Sequence, residues 1–466
     1  MDIFELIENH LPSELRVLLG NTPELVSYTD EDGRTPLHLA TTLVDPEVAR
    51  MLLEFGGSVN TQDALGKTPL HIAAYNGNKL TAALLMDNRA NLGIKNNQGF
   101  TAYNLAMSNK QTQVANLIRK REIDLKNELL EAAHTGDLTL LERALAQGTP
   151  VDFTEKSTGK TAMHLAASGG HIELMECLIK YSGSLNHTDK LKRSPLHLAA
   201  KNGCNNSVQW LLKRDCDTSM QDMNGWTPLH QAAIENHSET VRILLENNVN
   251  AKVMDKDGLT PIHCAVKQGH TATLALMLNM GIDIESITRD ARTPLHIASA
   301  HGCIETVELL LQHGAEISAL NNKMRTPLHF SAQSGNPLIS SALINAGATV
   351  DAQDREGTTA LFIAAYIGHT DVMKVLIANG ADIRLADNNG RTPLHAACIY
   401  AQSSAIKLLL DGGASMLSKD NAGYTPKDWI TTRDSMPQPV AMEEDGMLAY
   451  TVVNEETVPV TQLSLF

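Results

Sequence analysis

One four-residue phrase returns along this chain at a fixed interval of 33 residues. Thr35-Pro36-Leu37-His38 recurs as Thr68-Pro69-Leu70-His71 and then, degenerately, as Thr101-Ala102-Tyr103-Asn104. After one irregular interval the series resumes at Thr161-Ala162-Met163-His164 and Ser194-Pro195-Leu196-His197. It continues from Thr227, Thr260, Thr293, Thr326, Thr359, Thr392 and Thr425. A glycine stands two residues before most of these threonines, as at Gly33, Gly66, Gly99, Gly258 and Gly390, and leucine-rich segments such as Ile243-Leu244-Leu245 follow each phrase. Such self-similarity restricts the chain to one supersecondary unit stacked many times. A unit this short cannot bury its apolar face alone, so neighbours must bury it.

The chemistry of one unit is readable. The Thr hydroxyl caps free N–H groups at a helix start, and Pro suits the first helical turn. Leu-His-Leu-Ala-Ala gives a short helix of small residues, ended by Gly. The leucine-rich segment supplies the apolar stripe of a second helix. An Asp/Asn-Gly tip supplies the positive φ of a tight hairpin. In these residues the chain resembles the ankyrin repeat family, over residues 2–433. That resemblance implies an all-α repeat solenoid of helix-turn-helix units with β-hairpin fingers, about thirteen repeats in all. It also implies that the finger tips and the exposed face of each first helix line a concave groove for other proteins.

The phase shifts once. Thr101 and Thr161 lie 60 residues apart rather than 66. Val114-Ala115-Asn116-Leu117-Ile118 and Glu128-Leu129-Leu130-Glu131-Ala132-Ala133 read as long helical stretches with no finger between them. This spacing predicts a short N-terminal stack with a capping repeat over 1–122, a junction near 119–127, and a long stack over 123–433. Residues 434–466 lose the phase and carry Glu443-Glu444-Asp445 and Glu455-Glu456, which reads as a flexible acidic tail.

Composition sets the function classes. The formal charge is −15, which argues against nucleic acid and anionic membranes as partners. No run approaches the roughly 18 apolar residues of a membrane span, and Met1-Asp2-Ile3-Phe4-Glu5 does not read as a secretory leader. The six cysteines show neither CxxC pairs nor a disulfide framework, so a reducing cytoplasmic setting is expected. Aromatic residues make up only 4%, which suits thin layers of Leu, Ala, Ile and Val.

Histidine is abundant enough to raise a metal or catalytic reading. Yet His38, His71, His164, His197, His230, His263, His296, His329 and His395 all hold the fourth place of the phrase, and His171, His237, His270 and His369 lie ten residues after the Thr. Equivalent positions in neighbouring layers sit about 8–10 Å apart, whereas ligands converge to about 2 Å from one ion. Hydrogen bonding within and between layers is the expectation, with no cofactor and no metal. No Walker loop, GxGxxG, His-Glu-x-x-His or nucleophile-elbow pattern is present, so the chain is not expected to be an enzyme.

Partner recognition then falls to variable positions. Just before each Thr, Trp226 and Leu259 break a series rich in Arg and Lys. With the tip residues Leu191 and Met223 they define an apolar candidate patch; packing of Trp226 against its own hairpin is the alternative. Seven residues after the Thr, Tyr366 and Ile399 define a second. Lys192, Ala291 and Met324 replace the usual tip glycine, so those tips are either strained or of another turn type. In the tail, Gln462-Leu463-Ser464-Leu465-Phe466 resembles the pentapeptide by which bacterial proteins dock on the sliding clamp, and Ser464-Leu465-Phe466 fits a ligand of a PDZ-type peptide-motif receptor. Acidic runs before an apolar end also resemble bacterial translocation signals. The reading is a non-catalytic scaffold or adaptor for partner proteins. Alternatives are an effector acting in a host cytosol and a regulatory subunit of an enzyme complex.

Overall fold

The computed structural model describes residues 2–431. These form 26 α-helices and one 3-10 segment, Pro23–Ser27, with no strand among the described residues. They fall into two compact units, one ending at Met223 and the other starting at Asn224. Each is a solenoid of stacked helix pairs. The tail motif Gln462, Leu463, Ser464, Leu465 and Phe466 lies outside the described residues.

The second layer shows how the sequence builds a unit. Thr68 is extended at φ −91°, ψ 167° and caps the helix Pro69–Asn76, while His71 returns the bond to the Thr68 N–H. This is a capping box with His in the place usually held by Glu or Gln. The helix stops at Gly77, whose φ of 78° is left-handed. A second helix, Lys79–Asp87, packs Leu85 and Met86 inward. Helices of 8 and 9 residues are too short to persist alone in water, so stacking holds them.

Between layers the chain makes a finger. The Asp63 carboxylate accepts the N–H groups of Leu65 (2.9 Å) and Lys67 (2.8 Å), closing a five-residue hairpin turn. One backbone bond joins each finger to the next: Asn97 N–H to Leu65 carbonyl (3.0 Å), Asn388 to Glu356 (2.9 Å), Asn421 to Asn389 (2.9 Å). The expected hairpins are therefore present as turns tied edge to edge. Gly66 sits at φ 72°, and a Cβ there would lie 2.8 Å from the Asn97 nitrogen.

Two further ties hold most layers. His71 accepts the Thr68 N–H at Nδ1 (3.1 Å) and donates from Nε2 to the Phe100 carbonyl of the next finger (3.0 Å). The same forward bond runs from His38, His164, His230, His263, His296, His329 and His395 over 2.9–3.3 Å. At the other end of the layer, the residue ten places after the Thr bonds backward to a carbonyl where the preceding first helix ends. His270 reaches Ile234 (2.8 Å), His369 reaches Gln333 (3.3 Å) and Gln402 reaches Tyr366 (3.3 Å). Cys204 makes the same tie through sulfur to the Ser168 carbonyl (3.1 Å).

The irregular interval is one continuous helix of 24 residues, Thr112–Thr135. The junction expected near 119–127 is its middle, inside the first compact unit. Residues 121–126, where a finger would form, are helical instead. Arg121 and Arg143 both pair with Glu128 (3.4 and 2.8 Å), and Arg121 also donates to the buried Gln147 (3.2 Å). The far end of the second unit is closed as expected. In the half-repeat Pro426–Thr431, Trp429 is buried, donates to Asp420 (3.0 Å) and packs edge-on against the last finger's Tyr424.

The three tips without glycine keep the standard turn and bear its strain. Lys192, Ala291 and Met324 sit at φ 59°, 60° and 59°, a region in which a side chain costs about 1–2 kcal/mol. Met324→Gly is expected to stabilise the protein by about 0.5–1 kcal/mol, part of the relief being returned as unfolded-state entropy. Urea denaturation of the two forms checks the sign.

Candidate protein-binding face

The two fingers Asp30–Arg34 and Asp63–Lys67 and the first helices Pro36–Ala40 and Pro69–Asn76 enclose an open groove of about 440 Å³. Leu39 and Ile72, half-buried, form its floor. Tyr75 stands 52% exposed on one wall and Leu65 60% exposed at a finger tip. The Lys67 ammonium lies 5.9 Å from the centre of the Tyr75 ring and has no ion-pair partner among the described residues. Arg34, by contrast, is paired with Asp30 and Asp32. The groove thus offers an apolar floor, an aromatic wall and an unpaired cation.

In the second unit the floor is covered. The positions equivalent to Leu39 and Ile72 are occupied by Cys264, Ile297, Phe330 and Ile363, all 1–3% exposed. At Phe330 the cover is visible: the Arg292 guanidinium lies 5.6 Å from its ring centre. There a long finger side chain closes the face.

The residues singled out from the sequence are distributed as follows. Leu191 and Met223 are 48% and 47% exposed on adjacent fingers of the first unit, joined by the bond from Met223 N–H to Leu191 carbonyl (2.9 Å). Trp226 and Leu259 belong to the second unit and are half-buried. The Trp226 indole donates to Asp255 Oδ2 (3.0 Å) while Asp255 Oδ1 accepts the Leu259 N–H (2.8 Å). In the equivalent place Arg325 donates to Asp354 (3.0 Å). Trp226 is therefore part of the finger-to-finger fastening, packing beyond its own hairpin onto the next. Tyr366 is half-buried and packs against Tyr400, the ring centres 4.0 Å apart and the planes inclined by 59°. Ile399 is only 6% exposed, so the expectation that it faces solvent fails: the side chain packs into the layer. Nothing in the sequence marks Leu65, Ile72 and Tyr75 as a cluster, although Leu65 holds the tip position of Leu191 and Tyr75 the helix position of Tyr366.

His38, His71, His164, His263, His296, His329 and His395 are held neutral, burial lowering the pKa of each. A backbone N–H can only donate, so Nδ1 of each must accept, and the proton rests on Nε2. Burial pushes His164, His263 and His296 down to about 4, against the smaller opposing pull of the carbonyls they bond. Burial likewise pushes the thiols of Cys216, Cys264 and Cys398 up to about 12, so they act as small core side chains. Among the described residues no three His, Cys, Asp or Glu side chains are grouped to hold a metal ion, and no helix is long and apolar enough to cross a membrane.

A stack of capped helix pairs tied by histidine to hairpin fingers defines a helical repeat solenoid. Profiles of ankyrin repeats match residues 45–128, 129–222, 214–288, 281–354 and 328–420. The chain belongs to the ankyrin-repeat family, whose repeats generally mediate contacts between proteins. Among solved structures it is similar to the human ASB11 ankyrin repeat domain, at 27% identity and a TM-score of 0.43, over 48% of this chain and 99% of that one.

Two outcomes follow from this chemistry. Unfolded histidine titrates near 6.5 and the buried ones near 4, so the unfolded chain binds more protons between those values. Stability is complete above pH 6.5 and is expected to fall as pH drops from 6.5 toward 4, with at least three protons taken up per chain unfolded; denaturation midpoints across that range measure it. Trp226→Phe keeps the ring but strips Asp255, 3% exposed, of its indole donor. It is expected to destabilise by about 1–3 kcal/mol, read from urea denaturation of the two forms.

Proposed function

We propose that this protein is a non-catalytic scaffold or adaptor that captures a partner protein in the open groove of its first two repeats. The observation that carries the reading is the combination of a half-exposed Tyr75, a projecting Leu65 and an unpaired Lys67 around one concave cavity. Exposed aromatic and aliphatic side chains in a preformed concavity are what a partner's anchor residue requires. The exposed pair Leu191 and Met223 supplies a second apolar contact in the same unit.

Affinity capture with the wild-type chain, with Tyr75→Ala and with a chain ending at Arg433 tests this. The expected partner survives removal of the tail and binds Tyr75→Ala at least tenfold more weakly, about 1.4 kcal/mol, while the thermal midpoint of Tyr75→Ala is unchanged. A partner that is indifferent to Tyr75 but lost with the tail would move recognition to residues 434–466.

A further inference from the structure

Two consecutive fingers of the first unit turn their acids inward and their lysines outward. Residues 155–160 and 189–193 carry five basic side chains against Glu155 and Asp189, within a chain of net charge −15. The Glu155 carboxylate is taken up by the Thr158 hydroxyl of its own turn. Asp189 accepts the N–H groups of Leu191 and Arg193 (both 2.9 Å) and pairs with the Arg193 guanidinium (2.7 Å), its own side chain fully buried. Each acid is therefore occupied within its turn. Lys156, Lys190 and Lys192 are exposed and Lys160 is half-buried, and none of the four has an ion-pair partner among the described residues.

The two fingers lie edge to edge. The Lys190 N–H donates to the Thr158 carbonyl (2.9 Å), and its ammonium donates to the Lys156 carbonyl (2.5 Å). Leu191 projects between Lys190 and Lys192, and its carbonyl joins the exposed Met223 on the following finger. Lys192 takes the left-handed place of the usual glycine at φ 59°, so this tip gains a further cation while its backbone is strained. The result is a ridge of ammonium groups around two apolar side chains.

Charge and polarity decide what such a ridge fits. Unpaired ammonium groups attract carboxylates, and the exposed Leu191 and Met223 favour an apolar contact. The chain as a whole is acidic, so a large acidic surface is repelled beyond the ridge, whereas a short segment meets the lysines alone. Nucleic acid fits poorly: the two fingers contain no aromatic ring on which a base could stack, and the net charge opposes a long polyanion. Resting on the reading of this protein as an adaptor, we propose that the fingers 155–160 and 189–193 bind a short acidic segment of a partner protein, with carboxylates on both sides of an aliphatic side chain. The aliphatic group rests on Leu191 and Met223, and the carboxylates meet Lys156, Lys190 and Lys192.

Selection of a random-peptide phage library on the full-length protein, followed by fluorescence anisotropy of the recovered peptides, tests it. The expected peptides carry Asp or Glu on both sides of Leu, Ile or Val. They bind the double variant Lys156→Glu with Lys192→Glu at least tenfold more weakly, and bind Tyr75→Ala as they bind the wild type. Lys192→Gly separates recognition from folding: relief of the strained turn raises the urea midpoint, while loss of one cation weakens binding at least twofold. Recovered peptides without acidic residues, or acidic ones indifferent to both lysine variants, overturn the proposal. So does displacement of the acidic peptides by oligothymidylate at equal concentration, which would make the ridge a general polyanion site. Peptides that depend on Tyr75 alone overturn it and leave the groove reading standing. Peptides that depend on the lysines alone support it, whatever the outcome at the groove.

Discussion

A buried imidazole that accepts at one nitrogen and donates at the other is the bond on which the stack depends. In each regular layer Nδ1 takes the N–H that begins the first helix and Nε2 gives to the finger that begins the next layer. One ring thus caps its own helix and sets the position of its neighbour. Each bond contributes only about 1 kcal/mol net, but leaving either partner bare in a buried place costs more, so the interaction acts chiefly as a requirement of register. The backward tie ten residues after the threonine fixes the opposite end of the layer. With both ends pinned, the leucine and alanine faces meet in a single registration.

That account explains which departures the chain tolerates. Cys204 replaces a histidine in the backward tie and still reaches the same carbonyl. Phe362 replaces a forward histidine and is buried at 4% exposure, while Thr359 still caps its N–H at 3.1 Å. Asn104 keeps the inward half of the histidine's role and loses the outward half, in the one layer of its unit with no finger to meet. The groove of the first unit stands where finger side chains do not close the concave face.

Much of this could be read from residue order alone, and the reason is physical. The period, the capping threonine, the helix-breaking glycines and the leucine stripes are local demands, so the solenoid, the closing half-repeat and the irregularity after Thr101 followed from spacing. Side-chain direction was not local. Trp226 looked like a surface anchor by type, but its indole meets an aspartate 29 residues away. Ile399 shares a helix position with Tyr75, yet its side chain is buried. Conversely, the groove at Leu39, Ile72 and Tyr75 depends on which finger side chains fold over the concave face, and no periodic pattern encodes that. The strain at Lys192, Ala291 and Met324 was visible as a missing glycine; that the standard turn persists there is a property of the neighbouring finger.

The most direct test of the account is the protonation of the histidine rings. Long-range proton–nitrogen correlation spectra of the full-length protein at pH 5.5 distinguish the two tautomers from the charged form. The account predicts that His164, His263 and His296 appear as neutral rings carrying the proton on Nε2. Protonated rings at that pH, or a proton on Nδ1, would contradict the claim that each histidine joins its helix to the following finger.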